Sequence, residues 1–262
     1  MGWGDDLMVL GEAQAKAEKM GGPVKVIDAY GEVVNSPLFV NQPCFAKQDQ
    51  EAVCTLAIGR GKRPYIASHN NYHRIWKAYQ PKPAKINWLE EELNWIKSLP
   101  NDFVIVEPNI KQRSGMANKS WGFDRYQQVV KKLNQFNWLQ LVQDETTPRL
   151  KGVDHLRTFS FRSAMATLSR AVGYLGPEGG MHHASAAVGV PAVVIFGGYI
   201  SPKVTGYEGH INLFTGTGLG CGNSQPCECS CMARITVGRV CEAVEKLLAR
   251  QTDTAHAHLP GA

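Results

Sequence analysis

The sequence predicts an α/β fold built on a parallel sheet, and three observations carry that expectation. Short β-branched runs recur at VKVI (24–27), FVIV (103–106), LQLV (139–142) and PAVVIF (191–196). The stretches between them have helical spacing, and strand–helix alternation of this kind stacks helices on both faces of a parallel sheet. A glycine-rich turn, GPEGG at 176–180, joins a strand-like VGYL to a helix of small residues. The 262 residues suffice for a sizeable core, and 44% hydrophobic with 19% charged residues is an ordinary globular composition.

The helical stretches follow in order. After Trp121, the residues Phe123, Tyr126, Val129, Val130 and Leu133 make one apolar stripe, with Arg125, Lys131 and Lys132 off it. A second helix is predicted from about Phe161 to Val172. A last one carries Val237, Val240, Val244, Leu247 and Leu248. Between Pro81 and Pro100 lies KPAKINWLEEELNWIKSL, a short helical piece bracketed by prolines, which predicts a domain boundary near residue 100. The expected organisation is therefore an N-terminal domain over 1–100, a C-terminal domain over 101–250 and a loose tail over 251–262.

Composition also excludes function classes. No apolar run approaches the ~20 residues that span a bilayer, and the N-terminus lacks a basic region followed by an apolar one, so the sequence reads as cytoplasmic. The net charge of +5 comes without a basic helix or aromatic–basic interleaving, which argues against nucleic acid. Seven cysteines in a chain of this size read as reduced thiols. Four of them, Cys221, Cys227, Cys229 and Cys231, invite a zinc site, but their Cys-x-Cys-x-Cys spacing is unlike the paired Cys-x-x-Cys of structural zinc. The expectation is a loop of thiols and no metal.

The turn at 176–180 has a physical reading. A helix beginning near Met181 presents unpaired N–H groups and a partial positive charge to whatever lies above Gly179 and Gly180, which suits a phosphate. The small residues Ala184, Ser185, Ala186 and Ala187 let that helix pack closely on the sheet. The same geometry also serves as a tight turn with no ligand.

The segment GPEGGMHHASAAVGVPAVVIFGG resembles the signature of glycosyltransferase family 9, the ADP-heptose:lipopolysaccharide heptosyltransferases and their relatives. The family acid falls on Glu178, its glycine on Gly180, its histidine on His183 and its proline on Pro191. His182 is an additional histidine, read as a surface residue. GWGDDLM at 2–8 resembles the family's Gly-x-Gly-Asp turn, which places the catalytic base on Asp5; an aspartate there could also cap the helix that follows, and Asp6 is expected to point to solvent at its start. KSWGFDRYQQVVKKL resembles the family's Lys-x-Trp-Pro motif and assigns the diphosphate contact to Lys119. Cys231, Met232, Ile235 and Thr236 match the run before the last helix.

Four departures accompany the match. The family opens on a β-strand ahead of Gly-x-Gly-Asp, so either that strand lies outside this chain or the N-terminal sheet is smaller. Glu178 stands where aspartate is usual, and Gly122 where proline is usual. The loop IKQRSGMAN is longer than usual, which makes Lys111 and Arg113 rivals of Lys119.

The resemblance implies a GT-B architecture, two Rossmann-like domains facing across a cleft, with a shortened N-terminal domain. It implies an inverting, metal-independent enzyme without cofactor, moving a sugar from a nucleoside-diphosphate donor to a saccharide or lipid-linked saccharide acceptor. ADP-heptose is the family's best-known donor, lipopolysaccharide biosynthesis its best-known setting, and peripheral contact with the inner membrane goes with it. Asp5 would deprotonate the acceptor, and Lys119 with the N–H groups of Gly179 and Gly180 would meet the leaving diphosphate. Glu178 would orient sugar hydroxyls. His183 would bond the diphosphate or brace the turn. Asp144 and Glu145, after the LQLV strand, would meet a ribose or base, or belong to a solvated loop.

Two alternatives stand beside this reading. A non-catalytic nucleotide-sugar-binding protein would keep the donor site without acceptor chemistry. An oxidoreductase would use Gly2, Gly4 and Asp28 as a dinucleotide fingerprint, although the third glycine is missing.

Overall fold

The computed structural model describes residues 2–28, 30–47, 50–58, 63–70, 72–110, 117–223 and 230–257. Its centre is a six-stranded, all-parallel sheet made of β5 (Val104–Val106), β6 (Trp138–Val142), β7 (Asp154–Arg157), β8 (Gly173–Pro177), β9 (Ala192–Gly197) and β10 (Ile211–Phe214). The strand order is β10-β9-β8-β5-β6-β7. The chain therefore winds outward from β5 in one direction, then returns to β8 and winds outward in the other. In such sheets the reversal opens a crevice at the C-terminal strand ends, and here it falls between β5 and β8.

Alternation along the strands divides the core into two layers. Val104 and Val106 of β5, with Val193 and Ile195 of β9, face α3 (Phe123–Lys132) and α7 (Val237–Ala257), where Tyr126, Val129, Val130, Val240 and Val244 are buried against them. Ile105, Tyr174, Val194 and Phe196 face the opposite side and pack with Met165 and Leu168 of α4 (Phe161–Leu168). α5 (Gly180–Ala187) lies on that same side, and its short side chains bring it close to the sheet.

The described part of the first hundred residues carries two small sheets and two α-helices. α1 (Trp3–Met20) comes first, followed by β1 (Val24–Ile27) and β2 (Cys54–Ala57), which pair in parallel as a two-stranded sheet. An antiparallel pair, β3 (Ile66–His69) and β4 (Arg74–Trp76), and the helix α2 (Glu90–Ser98) complete it. The first half of α1 is buried nearly all round because it lies between the small sheet and α5, enclosing Leu7, Met8, Val9 and Leu10 as well as Asp5 and Asp6. Consequently one continuous apolar core contains Leu7, Val24 and Val26 together with Ile105, Leu168 and Val194. A buried ion pair ties the halves as well: Arg162 Nε and Nη2 donate to Glu92 Oε1 and Oε2 at 2.5 and 2.6 Å. A short helix, α6 (Pro202–Thr205), follows β9.

Two boundaries differ from the sequence reading, and one departure from the family motif finds its reason in the backbone. α4 stops at Leu168 rather than continuing to Val172. α7 runs to Ala257, into the stretch expected to be loose, because after Gly238 no glycine or proline interrupts the chain before Pro260. Gly122 has φ +105°, a conformation closed to the proline that the resemblance places there, so the departure follows the local backbone.

Candidate active site

The reversal point brings together residues far apart in sequence. The turn after β8 carries Glu178, buried at the end of its strand, and Gly180 opens α5. The segment after β5 returns through a single 3-10 turn, Ala117–Lys119, which delivers the Lys119 ammonium onto Glu178 Oε2 as an ion pair. The same ammonium lies 5.4 Å above the Tyr199 ring, whose hydroxyl accepts from Arg74 Nη1 at 2.8 Å. Thr205 Oγ1 donates to Glu178 Oε1 at 3.4 Å. Burial pushes the Glu178 carboxyl up, but Lys119 and then His183 outweigh it and hold it below the usual range. Lys111 and Arg113 lie outside the described residues.

Above Gly179 the backbone is open: a Cβ built there meets nothing within 4 Å. Gly180 is covered on one side by Phe161 and Trp3, whose rings stack 5.3 Å apart at 11°. This leaves the first turn of α5 accessible to an anion at Gly179, with an aromatic wall beside it.

Asp5 reaches the same region from α1. Gly2 is the N-cap of that helix, and the Asp5 carboxylate turns away to accept from Tyr65 Oη at 2.7 Å and from Arg63 Nε at 3.2 Å. The capping role open to an aspartate in this turn is therefore not what its oxygens serve. Electrostatic coupling links the groups: both Asp5 and Glu178 push the Tyr65 hydroxyl upward, and both favour a charged His183. Asp6, expected at the solvent-facing start of the helix, is buried instead and accepts from Ser36 Oγ at 2.8 Å. Its side of α1 packs on the segment that follows β1, which explains the difference.

The two histidines are both interior. His183 Nδ1 is 2.9 Å from the Tyr207 hydroxyl, and its Nε2 is 3.9 Å from Glu178 Oε1. Its ring lies against α1: a Cβ on Gly4 would come within 2.5 Å of His183 Cδ2. His182 corrects the surface reading, being 0% exposed among Phe196, Tyr207 and His210. The cause is the close seating of α5 on β9, which leaves no solvent on that side of its first turn. Burial lowers His183 and His210 to about 4 and lowers His182 well below the ordinary histidine value.

Glu178, His182 and His183 each offer one ligand atom within 4.8 Å of the other two, an arrangement that could hold a metal ion. Lys119 sits on Oε2 of the Glu178 carboxylate and Tyr207 on Nδ1 of the His183 ring, while Glu178 Oε1 and His183 Nε2 face each other at 3.9 Å. Of the thiol cluster, Cys221 is exposed and Cys231 is buried. Cys227 and Cys229 lie outside the described residues.

Other candidates stay apart from this centre. Asp144 Oδ1 accepts from Thr146 N and Thr146 Oγ1 in its own turn, and Glu145 pairs with Arg149. Asp28 closes a turn by accepting from Tyr30 N and Glu32 N, so the carboxylate that imitated a dinucleotide fingerprint is used locally.

Sequence reasoning missed Arg63, Tyr65, Tyr199, Tyr207 and Glu107. The first four have no local spacing that marks them. Glu107 had a signal, a lone carboxylate directly after an apolar strand. It sits at the reversal point at the end of β5, bonded to Asn109 N at 2.8 Å, and burial pushes it up to about 8.

The Lys119–Glu178 pair makes a stability prediction. Lys119→Ala strands a buried carboxylate, an effect of about 3–5 kcal/mol at neutral pH. In the wild type the Glu178 carboxyl is held low, so its contribution persists at neutral pH and is lost only as pH falls through that lowered value. In the variant Lys119 no longer offsets burial, so Glu178 takes up a proton on folding and regains stability as pH falls. The gap between urea midpoints of the two proteins is expected to narrow from pH 7 to pH 4. A gap that stays constant would mean the pair contributes nothing specific.

No family model matches the chain, and no curated protein matches it in sequence. Among solved structures, it is similar to the glycosyl transferase family 9 from Veillonella parvula DSM 2008, with TM-score 0.51 and 15% identity over 76% of this chain and 68% of that one. It also matches E. coli ADP-heptose lps heptosyltransferase II, with TM-score 0.48 and 18% identity over 68% of this chain and 55% of that one. The dodecameric iron-containing glycosyltransferase TibC from enterotoxigenic E. coli H10407 matches with TM-score 0.45 and 14% identity over 58% of this chain and 46% of that one. The chain thus spans about half the length of these two E. coli proteins. Over 76% of its length, the chain has the fold of the Veillonella parvula glycosyl transferase.

Proposed function

We propose that the chain transfers a sugar, with inversion, from a nucleoside-diphosphate donor to a saccharide or lipid-linked saccharide acceptor. The observation that carries this reading is the convergence of Lys119, Glu178 and the open first turn of α5 at the sheet's reversal point, with Asp5 close enough to act electrostatically on the same groups. A diphosphate entering at Gly179 would take over the Lys119 ammonium and the exposed N–H groups of α5. Glu178, freed from Lys119, would accept from donor-sugar hydroxyls. Asp5 would accept the proton of the acceptor hydroxyl, whose oxygen then attacks the anomeric carbon from the face opposite the departing diphosphate. Negative charge growing on that leaving group would be met by Lys119 and the helix terminus.

Heptose as the transferred sugar rests on the sequence resemblance alone. Among the described residues no helix is long and apolar enough to cross a membrane, so a membrane-borne acceptor would be met from the surface. The experiment is a melting screen of the chain against ADP, GDP, UDP and dTDP. A diphosphate present at a hundred times its dissociation constant adds ~2.7 kcal/mol of stability. Lys119→Ala should then weaken its binding by about 1.5–3 kcal/mol, the range of a charge-assisted hydrogen bond. No response to any of the four diphosphates would overturn the reading. A response insensitive to Lys119 but lost on changing Lys111 or Arg113 would move the clamp to the preceding loop. Release of nucleoside diphosphate from the matching sugar nucleotide separates an enzyme from a binding protein.

A further inference from the structure

We infer that Tyr207 is a positioning residue, whose hydroxyl donates to His183 Nδ1 and fixes that ring as the tautomer with its proton on Nε2, aimed at Glu178 and the bound diphosphate. The part of this inference that concerns the diphosphate rests on the proposed donor site; the tautomer does not.

The geometry admits two arrangements. Tyr207 Oη and His183 Nδ1 are 2.9 Å apart, so one donates to the other. If Nδ1 carried the proton, the lone pair of Nε2 would face Glu178 Oε1 at 3.9 Å, lone pair against carboxylate. With Tyr207 as donor, an N–H dipole faces that carboxylate instead. Lys119 keeps Glu178 ionised, so the second arrangement is the favourable one. Burial keeps the proton on the Tyr207 hydroxyl, which preserves it as a donor, and keeps His183 neutral.

The ring is also fixed in place. Gly4 of α1 lies against its Cδ2–Nε2 edge, and His182 and Tyr207 flank it at ring-centroid separations of 4.5 and 5.6 Å. Nε2 therefore points in one direction, near the start of α5. A carboxylate in place of Tyr207 would accept from Nδ1–H, fixing the opposite tautomer, and would favour the charged form of the ring. A phenol orients it without adding charge. The result is a neutral N–H donor beside a site that already holds Lys119, with no titration near neutral pH.

The test uses the full chain labelled with 15N-histidine. Long-range 1H–15N spectra at pH 7, with His183 assigned through His183→Gln, are expected to show the Nε2–H tautomer. In Tyr207→Phe the ring fills the same space without a donor, and the Nδ1–H form is expected to gain population. Affinity for whichever of ADP, GDP, UDP or dTDP binds best should fall by about two- to tenfold, the worth of one neutral hydrogen bond. An Nδ1–H tautomer in the wild type overturns the inference whether or not the variant folds. An unchanged tautomer in Tyr207→Phe overturns it, and so does a stoichiometric metal ion ligated by His183 Nε2. If none of the four diphosphates binds the wild type, the donor half of the inference falls and the tautomer half stands on its own spectra.

Discussion

Asp5→Asn is expected to reduce turnover by about 10²–10⁴-fold, the usual contribution of a general base, while fold and nucleotide binding survive. Asparagine keeps an oxygen for the Tyr65 hydroxyl, and Gly2 rather than Asp5 caps α1, so the helix start does not depend on the carboxylate. What the variant loses is the ability to take a proton and the charge that faces Arg63. The measurement is diphosphate release with a verified donor and acceptor, alongside calorimetric affinity for the diphosphate. Asp6→Asn is the comparison. Because Asp6 is buried against Ser36, that change tests whether an equally interior neighbouring carboxylate can be neutralised without loss, and turnover is expected to remain near wild type. Full activity in Asp5→Asn would remove the base role.

Acid is expected to destabilise the fold well before most carboxylates titrate. His182, His183 and His210 all have folded-state values below the ordinary 6.5, with burial the largest cause in each. Glu178 and Asp5 pull His183 back up, while Lys119 opposes its protonation and that of His182; His183 in turn opposes that of His210. The unfolded chain binds protons at His183 and His210 below pH 6.5 and the native one does not until about pH 4, so stability falls as pH drops through that window, with His182 adding in the same sense. At pH 5 His183 and His210 each remove about 2 kcal/mol, a large share of the stability of a typical domain, and His182 acts in the same direction. Urea midpoints at pH 7.5, 6 and 5 check this, with His210→Gln flattening the slope by about one proton. A flat profile from pH 7 to pH 5 would mean that the native state already accommodates charged rings there.

Most of the strands legible in the sequence are those buried on both faces, although VKVI, half-exposed in β1, was legible too. β5, β6, β8 and β9 are central strands of a parallel sheet, so apolar and β-branched residues fill them and the runs FVIV, LQLV and PAVVIF stand out. The edge strands β7 and β10, written DHLR and INLF, carry no such signature because water reaches one side of them. The geometry of the candidate site was legible where backbone chemistry dictates residue type, as in the strand-to-helix turn through Glu178, Gly179 and Gly180. It was not legible where a partner arrives from a distant element. Tyr65 lies 60 positions from Asp5 and Tyr207 lies 24 from His183, and no periodicity links such pairs. His182 and Asp6 were misread for a related reason: both stand at the start of a helix, where sequence shows the residue but not the side on which the next layer packs.

The contact between Gly4 and His183 restricts how this protein can vary. The imidazole occupies the volume that any Cβ at position 4 would need, so the two positions are not free to drift separately. A larger residue at 4 is compatible only with a smaller one at 183, and that exchange would surrender the ring held by Tyr207. Selection of active variants from a library randomised at both positions should therefore return coupled pairs, with glycine at 4 wherever histidine stands at 183. The motif around Asp5 and the motif around His183, separated by most of the chain, behave in this respect as one unit of inheritance.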